Sequence, residues 1–294
     1  MCARNSTSEP KPENSKCCIR LRWEKSQTIC SVAGENRQPR KTFTLLQRNS
    51  AAAERRKFSQ TMNVYPQLRK YLRSYPQWHF SPPRVQAVRR LRRIGSDYGG
   101  YFVDISLLPP DAVVYSLGIG EDISFDLSLI QQYGVTIRAF DPTPKVKTWI
   151  QSQSLPAQFR FQQIGIADFD GEADFYLPPK RDFISHSMIR ARQYSEDSIR
   201  VPVAKLATVM RTLGHNRIDI LKMDIEGAEY AVLKDLIKDK IEVGQILVEF
   251  HHRLSSVGIE KTRAALSALN DYGMKICYVC PRMEILTLIR ALAK

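Results

Sequence analysis

Asp224 and Glu226 are the residues of this chain best placed to do chemistry. They flank the end of an apolar run, Ile218-Asp219-Ile220-Leu221-Lys222-Met223, which reads as a buried parallel strand. Gly227 permits a close backbone turn there, and Ala231, Val232, Leu233 and Leu236 give the following segment the apolar side of a helix. Ligands of open α/β sheets bind at the carboxyl ends of the strands, so both carboxylates fall on a working edge. A second apolar run, 245–250, leads into Glu249-Phe250-His251-His252. Asp224 or His251 could take a proton from a reacting hydroxyl, His251 because imidazole titrates near neutrality. Asp224 with Glu249 could instead hold a divalent cation that acidifies the hydroxyl. The plainer alternatives are hydrogen-bonded histidines at a strand end, and Glu226 and Glu229 as helix N-terminal charges that suit the macrodipole.

A third strand end supplies a different chemistry. The run 112–117 closes in Ser116-Leu117-Gly118-Ile119-Gly120-Glu121-Asp122, where two glycines allow a tight turn and close approach of a ligand to the backbone. Asp141 follows 23 residues after Gly118, at the end of the next predicted strand. A nucleoside site needs a carboxylate at that place for the ribose hydroxyls. The third glycine of a dinucleotide fingerprint is replaced by Ile123, and Glu121 and Asp122 would repel a pyrophosphate. Both features disfavour a nicotinamide cofactor. They suit a nucleoside carrying positive charge, such as the sulfonium of S-adenosylmethionine.

The elements that must position these residues alternate from Asp111 onward. Strands are predicted at 112–117, 136–140, 159–166, 218–223 and 245–250, with helices at 123–133, 145–151, 226–237 and 260–270. Strand-like alternation at 173–177 and 200–203 suggests an antiparallel insertion around 185–189, in which His186 could face a second substrate or simply lie on a surface loop. The runs 274–280 and 285–290 are close enough to form a terminal hairpin. This order predicts a mainly parallel sheet with helices on both faces and a C-terminal antiparallel pair.

Charge divides the chain differently. The formal net charge is +14, yet residues 111–294 carry 23 Lys/Arg and 23 Asp/Glu. The excess belongs to 1–61, with 13 basic against 5 acidic residues, and to 62–110, with 8 against 2. A basic leader on a neutral body argues against a nucleic-acid substrate, which calls for basicity across a folded face. Residues 1–61 show no sustained period and are expected to be disordered, either as a native leader or as an extension preceding a start at Met62. Residues 62–110 read as a basic helical extension. Within it, Val85, Val88, Leu91 and Ile94 at three-residue spacing predict an amphipathic helix over 84–94, and Pro109-Pro110 mark the edge of the catalytic domain 111–294. No apolar run approaches the roughly 18 residues of a membrane span, and no secretory signal opens the chain, so the expectation is a cytoplasmic protein, with a mitochondrial presequence as the alternative. Cys277 and Cys280 form a lone CxxC in a strand, which places the thiols on opposite faces as core residues.

Taken together, residues 113–120, Ala139-Phe140-Asp141-Pro142, the Asp-x-Glu-Gly-x-Glu run at 224–229 and the closing Leu247-Val248-Glu249-Phe250-His251 resemble the FkbM-type methyltransferases, in a methyltransferase-like branch. The resemblance covers about 95–290 and implies a class I, Rossmann-like methyltransferase fold that uses S-adenosylmethionine. It implies cofactor contacts from Ser116, Gly118, Gly120, Asp141, Asp168 and Asp224. Gly118 and Gly120 would line the methionine end, Asp141 the ribose and Asp168 the adenine, with Asp224 at the methionine amine or the acceptor. It further implies methylation of a hydroxyl oxygen, with Asp224, His251 and Glu249 as the candidate catalytic group. A non-catalytic module that binds the same cofactor or a protein partner is the second reading left open by the residues.

Overall fold

A seven-stranded sheet carries the molecule, in the order β11-β12-β10-β9-β3-β4-β5. Its parallel part comprises β3 (Val113–Leu117), β4 (Thr136–Phe140), β5 (Phe159–Gln162), β9 (Ile218–Met223) and β10 (Val243–Glu249). The antiparallel edge is the hairpin of β11 (Met274–Val279) and β12 (Ile285–Arg290), with β12 pairing on β10. The computed structural model describes residues 85, 90–178, 186–192 and 194–291. The expected disordered leader, 1–61, lies outside them.

Period-two burial sorts the side chains of the central strands onto two cores. Val114, Ile137, Ile220 and Leu247 face one, with Phe125 and Leu129 of α1 (Ser124–Tyr133) and Val146 and Ile150 of α2 (Pro144–Gln151). Tyr115, Leu117, Leu221, Met223, Ile246 and Val248 face the other. That second core takes Val209 and Met210 of α3 (Leu206–Leu213), Leu233 and Leu236 of α4 (Glu229–Lys238) and Leu269 of α5 (Ile259–Asp271). Helices therefore cover both faces. A central strand buried on both sides is mainly apolar, and β9 and β10 follow this, interrupted by Asp219 and Lys222 in the first and by Gly244, Gln245 and Glu249 in the second.

Three expectations are corrected. The predicted strand 159–166 breaks after Gln162. Its second half, β6 (Gly165–Ala167), joins a separate sheet with β8 (Ser198–Lys205) and the antiparallel β7 (Gly171–Tyr176). The predicted helix over 84–94 lies partly outside the described residues, but its last turn is a strand, β1 (Leu91–Ile94), paired with β2 (Tyr101–Asp104). Cross-strand pairing overrides the three-residue period because Ile94, Tyr101 and Val103 are buried in the core with α1. For the same reason the catalytic domain does not begin at 111. Gln245 of β10 exchanges hydrogen bonds with the Asp104 main chain at 2.9 and 3.0 Å, and Thr287 Oγ1 donates to Phe102 O at 2.7 Å. Helix α3 had no counterpart in the sequence reading.

Both CxxC thiols are buried and reduced, as core residues. Cys277 donates to Thr287 O at 3.2 Å, and Cys280 Sγ accepts from Ile285 N at 3.3 Å.

Candidate active site

The chain runs outward from β3 through β4 to β5, then returns to the other side of β3 as β9. A crevice opens at that reversal, at the carboxyl ends of the strands. It encloses about 1100 Å³ counting the open space at its mouth. Gly118, Gly120, Asp141, Asp224, Glu226, Glu249 and His251 all line it.

One wall is a backbone construction. Gly118 N donates to Phe140 O at 2.9 Å and Asp224 N to Leu117 O at 3.0 Å, so three strand ends are tied at one point. Gly118 has φ +66°, and a Cβ built on it would stand 1.8 Å from the Asp224 carbonyl oxygen. Only glycine fits there. Asp141 fixes the turn from below: Oδ2 accepts from Gly120 N at 3.1 Å and Oδ1 from Thr143 N at 2.9 Å. Burial pushes its carboxyl above the ordinary value, while the Thr143 and Gly120 amides and the Lys222 charge act in the opposite direction.

Lys222 and Tyr101 complete this wall. Lys222, buried in β9, reaches the Gly118 carbonyl at 2.6 Å and the Leu117 carbonyl at 3.5 Å. A lysine inside an otherwise apolar strand was the available signal. Tyr101, from the β1–β2 hairpin, lies buried against the crevice with the Lys222 ammonium 5.8 Å from its ring centre. Burial, together with Asp224 and Glu249, holds its phenol well above the usual range, so it stays protonated.

The opposite wall is made of side chains. Glu229, fully buried in the first turn of α4, accepts through Oε1 from Ile225 N at 3.1 Å and Gly227 N at 3.2 Å. The same oxygen lies 2.8 Å from His251 Nδ1. His251 Nε2 faces Glu226 Oε2 at 3.3 Å and Asp224 Oδ1 at 3.5 Å. Burial alone would lower the His251 pKa, but Glu229, Glu226 and Asp224 outweigh it and hold the ring protonated well above the usual range. Glu226 sits at φ +52°, an uncommon conformation for a non-glycine residue. Its carboxylate accepts from Tyr194 OH at 3.1 Å and its carbonyl from Ser187 Oγ at 2.5 Å, both from the insertion after β7.

Two predicted contacts are not brought together with the rest. Asp168 is exposed at the end of β6, outside the crevice, because the break after Gln162 carries it into the small sheet. Ser116 is buried in β3 and does not line the crevice, since the strand's alternation turns it away. His186 does line it. Glu249 lines it too, but the described residues that group as potential cation ligands are Asp224, Glu229 and His251, not the expected pair of Asp224 and Glu249. The neighbouring His252 is a structural residue: burial, with the Arg253 charge, pushes it down to about 4.

The strand order and the crevice at its reversal are those of a class I methyltransferase fold. Residues 117–276 match the family described as the methyltransferase FkbM domain. The chain belongs to that family, and S-adenosylmethionine is accordingly its cofactor. It is 29% identical over 141 residues to the human protein named "Probable methyltransferase-like protein 24", and 30% over 142 residues to the rat protein of that name. Each match takes in 47% of this chain and 32% of the relative, so the similarity spans about a third of the length of these curated relatives. Among solved structures, the FkbM methyltransferase of Methylobacillus flagellatus KT aligns with a TM-score of 0.39 at 14% identity, covering 63% of this chain and 46% of that one. Fibrillarin of Aeropyrum pernix, in complex with S-adenosyl-L-methionine, aligns at 0.32 and 12% identity, covering 69% and 83%.

Proposed function

We propose that the protein transfers a methyl group from S-adenosylmethionine to a hydroxyl oxygen of an acceptor that enters beside Asp224, Glu226 and Glu249. The observation that carries this reading is the pairing of a glycine turn no side chain could fill with the Asp141 carboxylate directly beneath it. Gly118 lets the ends of β3 and β9 close against each other and so sets the turn through Gly120 at the crevice, and Asp141 retains acceptor lone pairs for ribose hydroxyls. When bound, the cofactor supplies an already activated methyl group on a positive sulfur. The chain's task is to align a nucleophile behind that methyl, exclude water and accept a proton.

Asp224 is the residue we assign to the proton. It stands at the β9 end, lines the crevice and keeps part of its side chain exposed, at 28%. Protonated His251 and the buried Glu229 behind it fix the orientation of that wall rather than act as base. Incubation with methyl-labelled S-adenosylmethionine and a source-cell extract tests the reading. A labelled product whose methyl is released only by ether cleavage is expected; label on nitrogen or carbon would overturn the hydroxyl assignment. Calorimetry with S-adenosylmethionine should give saturable binding that Asp141→Ala weakens.

A further inference from the structure

Lys222 is a buried cation with no anion beside it. It stands near the carboxyl end of β9, paired across to Ser116 of β3, and only 5% of its surface is exposed. Two main-chain carbonyls hold Nζ, Gly118 O at 2.6 Å and Leu117 O at 3.5 Å, and the Tyr101 ring centre lies 5.8 Å away. None of the described residues forms an ion pair with it. Asp122, Asp126 and Asp141 act on it from beyond ion-pair distance. Burying an ammonium is costly unless an anion and good hydrogen bonds offset it. The carbonyl dipoles offset part of that cost, but an ammonium has three N–H donors and two carbonyls occupy at most two.

Lys222 also lines the crevice, so an anion that enters there can reach the ammonium. Strand order says which part of the cofactor arrives. Asp141, at the end of β4, takes the ribose in the reading above, and β9 lies on the opposite side of β3. A cofactor with its ribose at Asp141 therefore brings one of its two ends across the glycine turn to β9. Charge selects the end. S-adenosylmethionine carries two positive groups, the sulfonium and the α-ammonium, and a single negative one, the α-carboxylate; its adenine is neutral. An ammonium fixed in the wall repels the first two and attracts only the carboxylate.

We propose that Lys222 binds the α-carboxylate of S-adenosylmethionine and makes the site select for it. The inference rests on the cofactor reading and adds to it a residue and a selectivity. The contact is a charge-assisted hydrogen bond from Nζ, made where water is largely excluded and such bonds are strong. The Gly118 carbonyl, bonded to the same nitrogen, holds the ammonium in place before the ligand arrives.

The test compares two ligands on the full chain by calorimetry: S-adenosylmethionine, and its decarboxylated form, which keeps the nucleoside, the sulfonium and the amine. The unmodified protein should bind the decarboxylated ligand roughly 10–100-fold more weakly, the range of a hydrogen bond between charged groups. Lys222→Met keeps the length of the side chain and removes its charge. It should weaken S-adenosylmethionine binding by a similar factor and spare the decarboxylated ligand, so that the ratio of the two affinities falls to about one. Lys222→Gln retains a donor for the Gly118 carbonyl and should show the same collapse, which covers a folding defect in the methionine variant. S-adenosylhomocysteine, which has the carboxylate without the sulfonium, should lose as much affinity as S-adenosylmethionine in either variant. Equal affinity of the unmodified protein for S-adenosylmethionine and its decarboxylated form overturns the proposal without any variant. A ratio that survives in Lys222→Met or Lys222→Gln overturns it too, and leaves the cofactor reading standing. Binding of neither ligand by the unmodified protein sinks the cofactor reading and the proposal with it.

Discussion

On the side of the crevice formed by Gly118, Gly120 and Asp141, main-chain groups do most of the holding. On the side formed by Asp224, Glu226, Glu229 and His251, side chains hold one another. The first wall joins the ends of adjacent parallel strands, so its geometry follows from the sheet register and a glycine turn. The second draws on two strand ends, a turn in the left-handed region and the first turn of a helix. The difference teaches where tolerance lies. A backbone-built wall fails when a single atom is added, whereas a side-chain wall loses function by degrees as partners are removed.

The largest expected effect breaks the first wall. Gly118→Ala places a methyl group 1.8 Å from the Asp224 carbonyl in a positive-φ conformation. We expect a loss of at least about 3 kcal/mol of stability, read by urea denaturation, with cofactor binding abolished. A smaller drop would mean that the β3 and β9 ends slide apart easily. Asp141→Ala leaves the Gly120 and Thr143 amides without their acceptor. It should weaken S-adenosylmethionine binding by about 2 kcal/mol, roughly thirtyfold, by calorimetry.

The third prediction concerns Asp126, in the first turn of α1. Its carboxyl is buried, with Oδ1 lacking a hydrogen bond. Burial raises its pKa to about 6 from 3.8, with the Lys222 charge opposing. The folded state therefore holds this proton more tightly than the unfolded chain. Asp126's contribution to stability is fully present below pH 3.8 and is lost as pH rises through about 6. Asp126→Asn should remove that slope and stabilise the protein at pH 7 by on the order of 1–2 kcal/mol, measured as melting temperature against pH. An unchanged profile would show that Asp126 stays ionised. Asp168→Ala should have the smallest effect, changing cofactor affinity by less than about twofold. A tenfold loss would return Asp168 to the site that the structure takes it out of.

Most of the sheet was legible because buried parallel strands write themselves as apolar runs. The bounds of β4, β9 and β12 coincide with the runs read at 136–140, 218–223 and 285–290. The errors share one cause. At 84–94 a local period of three lost to hairpin pairing with β2, and at 159–166 one predicted strand served two sheets. Neither partner strand can be read from the segment itself. Lys222 was visible as a lone charge in β9, but its bond to the Gly118 carbonyl spans strands that lie 104 residues apart in sequence.

By itself the sequence determined the alternation of strands and helices, the glycine turn, the carboxylate one strand later and the family they signal. These are local properties: side-chain period, steric freedom and spacing along the chain. Tertiary structure alone decided what His251 is. Its proton affinity depends on Glu229, Glu226 and Asp224, which lie at least 22 residues away and meet it only when β9 and β10 pair. Electrostatic character is set by neighbours in space, and an imidazole that reads as a base along the chain is favoured, among three carboxylates, in its charged form.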